Sequence, residues 1–140
     1  MLSVLPLYEV MSSDSGSRGL IHVASIPNVN GLNASVDTSL LTVPANSTFN
    51  ILGACVRLTN VVGTPTVGQI AIKDITAGVD LIPATTLTGL TNTSLFFPIL
   101  VTGAAKRSVP AGSVIVASMS TAYSVATTVT LSVDLLGYLV

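Results

Sequence analysis

The stretch from residue 125 to residue 140 reads VATTVTLSVDLLGYLV. Through its middle, apolar and polar residues alternate with a period of two, which predicts a β-strand with one face buried and one face wet. The apolar row is Val129, Leu131, Val133 and Leu135, and the polar row is Thr128, Thr130, Ser132 and Asp134. Beyond Leu136 the polar row is lost, so residues 136–140 are expected to be covered on both faces.

In the rest of the chain, the spacing of prolines and glycines is typical of an all-β protein. Seven prolines and eleven glycines break it into short segments rich in Val, Ile, Thr and Leu, and no window keeps a helical apolar period. Further strands are predicted at residues 20–25, 39–43, 47–60, 67–75, 81–82, 95–102 and 113–120. We therefore expect an antiparallel β-sandwich of about eight strands, jelly-roll-like in its arrangement.

Two of these strands carry more specific expectations. In the strand at 47–60, the alternate residues Leu52, Ala54, Val56 and Leu58 form one apolar row. In the strand at 95–102, Pro98 predicts a sheet edge or a bulge, because proline has no N–H to give to a ladder.

A short motif occurs twice, as VPANS at residues 43–47 and VPAGS at residues 109–113. Proline suits the second position of a type I turn, and Asn46 or Gly112 suits the left-handed residue that follows. Each motif is predicted to be a tight hairpin reversal with a bulge. Favourable turn chemistry used twice explains the repeat better than a duplicated half-domain, which stays open.

The first thirty-odd residues differ from the remainder. Residues 11–18 are a polar Ser/Asp/Gly string and residues 28–33 look like a loop, while the apolar segment Leu2–Tyr8 precedes both. An apolar segment on a polar linker is typical of an arm that docks on a neighbouring subunit. A first edge strand followed by a loop explains the same pattern equally well. We predict an arm and linker at residues 1–34 and a sandwich domain at residues 35–140.

Composition narrows the function. Only 8% of residues are charged, the net charge is −1 and 49% are hydrophobic, whereas an ordinary soluble domain is about 25% charged. Such a neutral surface favours association, so an obligate homo-oligomer, most simply a trimer, is expected; a monomer with a neutral Ser/Thr face is the alternative. Without a basic surplus or an apolar run of about 20 residues, neither nucleic acid nor a membrane is an expected partner.

The inventory of chemically active residues is thin. His22 is the single histidine and has no nucleophile elbow beside it, Cys55 is the single cysteine, and the six acids are scattered. The sequence therefore predicts no catalytic residue, no metal site and no cofactor, which argues against an enzyme.

The segment Val109–Val116 and the ending Thr130–Val140 resemble small structural proteins of tailed bacteriophage virions. The resemblance covers roughly residues 35–140 and implies a β-sandwich that ends in an alternating strand and a short Gly-aromatic tail. Proteins of this kind include capsid decoration, or cement, proteins, which are often trimers gripping the shell with a terminal arm. It implies a virion location after assembly in the host cytoplasm, and the chain itself and a major capsid protein as partners.

Three functions follow as expectations. The first is a capsid decoration protein, the second a head-fibre or tail component, and the third a carbohydrate-binding tip domain that uses Tyr8, Tyr123 or Tyr138. The residues predicted to form the interface are Leu2, Val4, Leu5, Leu7, Tyr8, Leu136, Tyr138 and Val140.

Overall fold

The computed structural model describes residues 21–101 and 108–140. These residues form nine strands: β1 Ile21–Asn30, β2 Asp37–Thr42, β3 Phe49–Thr66, β4 Gln69–Asp74, β5 Val79–Thr86, β6 Phe96–Leu100, β7 Ser108–Val109, β8 Val114–Thr121 and β9 Ser124–Leu139. Within the described ranges, no helix is long and apolar enough to cross a membrane.

The strands form two antiparallel sheets. The first sheet has the order β1-β9-β3-β6, with β7 also pairing with β3, and the second has the order β2-β8-β4-β5. The pairs nest from the outside inwards: β1 with β9, β2 with β8, β3 with β6 and β7, and β4 with β5. This nesting is jelly-roll winding, with β6 and β7 as two pieces of one strand. The predicted sandwich is therefore confirmed.

Strand β9 has the predicted register. Its apolar row is between 0% and 1% exposed, and Thr128, Thr130 and Asp134 are half-buried on the other side. Ser132 is an exception, because it is buried beside the bulge of β1 between Ile26 and Val29. Val140 is 51% exposed, so the expected cover on both faces is wrong at that residue.

The apolar row predicted in β3 is correct from Ala54 onwards and wrong at Leu52. The ladder to β9 has an irregularity between Ile51 and Gly53, which shifts the alternation by one residue. Ile51 is therefore fully buried and takes the place predicted for Leu52, which is half-buried. A bulge of this kind inserts one extra residue and changes which parity faces the core.

The repeated motifs form turns, but not hairpins. Asn46 and Gly112 have φ angles of 60° and 81°, as predicted for left-handed residues. The N–H groups of Ser47 and Ser113 each donate to the carbonyl three residues earlier, at 3.2 Å, so proline occupies the first turn position and not the second. Each turn connects strands of different sheets, β2 to β3 and β7 to β8, and so the predicted hairpins are wrong.

Tyr123 connects neighbouring loops by hydrogen bonds at the end of the sandwich opposite these turns. Its hydroxyl donates to the Leu90 carbonyl at 2.9 Å, and its N–H donates to the Gly31 carbonyl at 2.8 Å. A side chain at Gly31 would meet Val129 and Leu131 at 2.7 and 2.8 Å, so glycine is needed for this close approach. Three connections between strands are thereby joined around one buried phenol.

The predicted boundary between residues 34 and 35 stays a prediction, because residues 1–20 lie outside the described ranges. Residues 21–30 of that predicted arm and linker form β1, which pairs with β9 throughout its length. The loop expected at 28–33 is therefore a strand as far as Asn30, and the turn begins at Gly31.

Leu131 tests the register of β9, because it is fully buried and pairs with Val29 on one side and Leu58 on the other. We expect Leu131→Asp to prevent folding, since an unpaired buried carboxylate costs several kcal/mol. Thr130→Asp, one residue away on the half-buried face, should melt within a few degrees of the parent. Circular dichroism melting of both variants checks this, and equal behaviour would show that the register is wrong.

Tyr123 also predicts a pH dependence. Burial raises the pKa of Tyr123 to about 12, against about 10 in an unfolded chain. The folded state then holds a proton that the unfolded state loses, so this contribution of roughly 2 kcal/mol is complete below pH 10 and is lost as the pH rises through 12. Guanidinium unfolding at pH 9 and pH 12 should show this loss in the parent and not in Tyr123→Phe. An identical decrease in both proteins would contradict it.

Candidate interaction surface

Strand β6 exposes large apolar side chains. Phe96 and Leu100 are 67% and 69% exposed, and Pro98 between them is also exposed, whereas Ile99 is 7% exposed and faces the core. The alternation follows from the pleat, which sends successive side chains to opposite sides. Phe96, Pro98 and Leu100 therefore form one outward apolar row, called here the β6 face.

The backbone of β6 explains the position of Pro98. Within the described residues, β6 pairs with β3 alone, so its other side is a sheet edge. The Val101 N–H donates to the Leu52 carbonyl at 3.0 Å. Because the backbone groups of successive residues in an antiparallel strand point to alternate sides, those of Ile99 also point toward β3, and those of Pro98 point toward the open edge. A proline there removes no ladder bond, and the prediction of an edge position is confirmed.

The predicted C-terminal interface residues lie on the same sheet. Gly53 of β3 pairs with both Leu100 and Leu136, so these two leucines are two strand spacings, about 10 Å, apart. Tyr138 pairs with Asn50, and both Leu136 and Tyr138 are half-buried.

The last residue of this set, Val140, exchanges two backbone hydrogen bonds with Thr48, at 2.9 and 3.0 Å. The other predicted interface residues, Leu2, Val4, Leu5, Leu7 and Tyr8, lie outside the described residues.

A polar strip runs beside the β6 face. Arg57 pairs across the ladder with Phe96, and its Nε lies 4.0 Å from Oδ2 of Asp134, with both side chains partly in solvent. Such a pair contributes little to stability, but it leaves the strip without net charge. Burial, and then the charge of Asp134, raise the pKa of the Cys55 thiol, while Arg57 opposes them. Cys55 is therefore a protonated thiol at neutral pH and not an activated nucleophile.

Sequence reasoning did not select Phe96 or Leu100 as interface residues. The available signal was the segment FFPIL at residues 96–100, in which the residues of both strand faces are apolar and a proline lies in the middle. Strands that are buried on both faces are also apolar on both faces, so this pattern alone does not distinguish a buried strand from an edge strand with an exposed apolar face.

A second surface feature is a shallow groove between β1 and the first half of β9. It is lined by uncharged residues: Asn28, Asn30, Leu32, Thr127, Thr128, Val129 and Thr130. One amide is already engaged, because Asn30 Oδ1 accepts the N–H of Leu32 at 2.9 Å. Tyr123 is 2% exposed and does not line the groove, so its predicted availability to a sugar is wrong. Tyr138 is half-buried elsewhere on β9.

The described side chains were compared with the requirements of a metal site. No three metal-ligating groups come together among residues 21–101 and 108–140. The buried Asp74 has a structural role, since its Oδ1 accepts the N–H groups of Thr76 and Ala77, each at 3.1 Å, and closes the turn between β4 and β5.

Three solved structures are similar to this chain, to different degrees. A chain in the capsid asymmetric unit of cyanophage Pam1 has a TM-score of 0.55 at 13% identity, covering 86% of this chain and 85% of its own. A chain in the acid-stable capsid of Helicobacter pylori bacteriophage KHP30 has a TM-score of 0.43 at 14% identity, over 86% and 92%. A chain in a virus-like particle of the nodavirus of the prawn Macrobrachium rosenbergii has a TM-score of 0.30 at 12% identity, over 91% and 96%.

Of these three, the cyanophage chain alone is similar enough to establish a shared fold. At 13% identity the likeness concerns the fold and nothing finer. No protein-family model matches the chain, and no curated protein matches it in sequence.

The alternation in β6 gives a matched pair of variants. Leu100→Ser should change the free energy of unfolding by no more than about 0.5 kcal/mol, because that side chain already faces solvent. Ile99→Ser should cost about 2–4 kcal/mol, because it leaves a cavity and buries a hydroxyl. Urea unfolding measures both values. Equal costs would show that the β6 face does not point outwards.

Proposed function

We propose that this protein is a non-enzymatic structural subunit of a bacteriophage virion, and more specifically a capsid decoration protein that binds the shell as a homo-oligomer. One observation carries the proposal: the jelly-roll sandwich matches a chain of a cyanophage capsid over 86% of this chain and 85% of that chain. Jelly rolls are a recurrent fold of viral capsid proteins.

The surface chemistry supports an assembling protein. Only 8% of residues are charged, and Phe96 and Leu100 are more than two-thirds exposed. Exposed apolar side chains close together on one sheet edge are a liability for an isolated chain, and burial in an assembly removes it. The proposed partners are further copies of this chain, in a trimer, and a major capsid protein. Neither nucleic acid nor a membrane is part of the proposal.

Two further roles belong to the same proposal as alternatives. A head-fibre or tail component has the same need for an apolar interface. A carbohydrate-binding tip domain is favoured by one observation, the uncharged groove lined by Asn28, Asn30 and several threonines, because amides and hydroxyls are the hydrogen-bonding groups that neutral sugars match. The groove has no aromatic platform among its lining residues.

A particle-binding experiment tests the proposal. Virions from the cells that produce this protein are banded on a density gradient, and heads are separated from tails before antibody detection. We expect the protein in the head fraction, and light scattering of the free protein should give three times the mass of a 14.2 kDa chain.

Each contrary result has a distinct meaning. Detection with tails alone would replace the decoration role with the tail role, and binding to a glycan array without particle association would favour the tip domain. A 14.2 kDa species at micromolar concentration would overturn the homo-oligomer. Absence from every particle fraction would overturn the virion role altogether.

A further inference from the structure

The two edges of the first sheet are of different kinds. Among the described strands, β1 forms one edge and β6 forms the other, three strand spacings or about 14 Å away. Ile21, where the described chain begins, pairs with Gly137, so the segment before it joins the sheet at the β1 edge. The exposed apolar side chains of the β6 face lie at the opposite edge.

The segment before β1 has the chemistry to cover that face. Residues 2–8 read LSVLPLY, without a charge, and the polar string at 11–18 separates them from β1. In an extended form, residues 2–8 span about 23 Å against about 17 Å for β6, and residues 9–20 reach about 40 Å. The segment is therefore long enough to cover all of β6 from a start at the other edge.

We infer that the apolar segment Leu2–Tyr8 of one copy docks on the β6 face of a neighbouring copy of this chain. This inference rests on the proposed homo-oligomer and names the contact that holds it together. Neither surface contains a charged side chain and both are apolar, so each matches the other in polarity. Burying Phe96 and Leu100 together with the leucines of the segment removes the largest exposed side chains of the edge from water.

A neighbouring copy is favoured over the same copy by geometry. To reach its own β6, the segment would have to cross the outward faces of β9 and β3, where Arg57 and Asp134 lie 4.0 Å apart. A neighbour with its β6 edge beside the β1 edge receives the segment directly. Such a contact joins two different edges, and repeated contacts of this kind close into a ring when the rotation allows it.

Side chains, and not an added strand, supply the affinity in this contact. The edge of β6 presents the N–H groups of Phe96 and Leu100, but Pro98 between them has none. An added strand would therefore lose a donor in the middle of its ladder. The apolar row of the β6 face remains fully available, which is why the proposal relies on burial.

A cross-linking experiment on the full chain tests the contact. Two versions with different tags are co-expressed, both carrying Cys55→Ser to remove the native thiol. One carries Leu5→Cys and the other Leu100→Cys, and the purified mixture is treated with a short bis-maleimide. We expect a cross-linked species that contains both tags. The control replaces Leu100→Cys with Val36→Cys, which is 53% exposed in the connection between β1 and β2 at the other end of the sandwich.

The outcomes separate cleanly. No cross-link between the two tags, or an equal yield with Val36→Cys, overturns the inference. A chain carrying both Leu5→Cys and Leu100→Cys that links only within itself also overturns it, in favour of docking on the same copy. In addition, Phe96→Ser with Leu100→Ser should reduce the light-scattering mass and leave the melting temperature nearly unchanged. Association with virion heads is measured separately, so it can survive the failure of this contact.

Discussion

The pairing of β9 between β1 and β3 is the interaction on which the rest of the structure depends. β9 is an interior strand of the first sheet and shares ladders with both neighbours along most of its length. Its apolar row, centred on the fully buried Leu131, packs in the core between the two sheets. A register shift of one residue in this strand would turn the entire row to solvent, so the period of two constrains every other element.

That constraint also determines where apolar surface is left over. The core takes one face of each sheet, and few charged residues are present to cover the other faces. Toward β9, the outward side is occupied by threonines, Asp134 and the half-buried Leu136 and Tyr138. At the β6 edge, Phe96 and Leu100 are about two-thirds exposed, at 67% and 69%. The candidate interaction surface is thus a consequence of an edge strand in which the residues on both faces are apolar.

Much of this fold was predictable from local patterns, and the errors have a common cause. The strands, the buried row of β9 and the left-handed Asn46 and Gly112 follow from periodicity and turn chemistry, which are local. The bulge that replaces Leu52 by Ile51 depends on how β3 meets β9. The sheets joined by the VPANS and VPAGS turns, and the edge position that exposes Phe96, depend on pairing between distant segments. Alternation within one segment contains no information on these.

Pro98 limits strand addition at the β6 edge and leaves the apolar row in place for the proposed contact. An uncovered apolar edge strand invites uncontrolled pairing with other chains, and proline blocks a continuous ladder at the centre of β6. Proline nevertheless leaves Phe96 and Leu100 exposed on the same row, where a partner that buries side chains still finds its full surface. An edge of this kind resists strand addition, a form of pairing that is open to almost any extended chain. It still allows a contact through side chains, which requires a partner of matching apolar shape. Selectivity at such an edge therefore comes from removing a backbone donor and retaining the side chains.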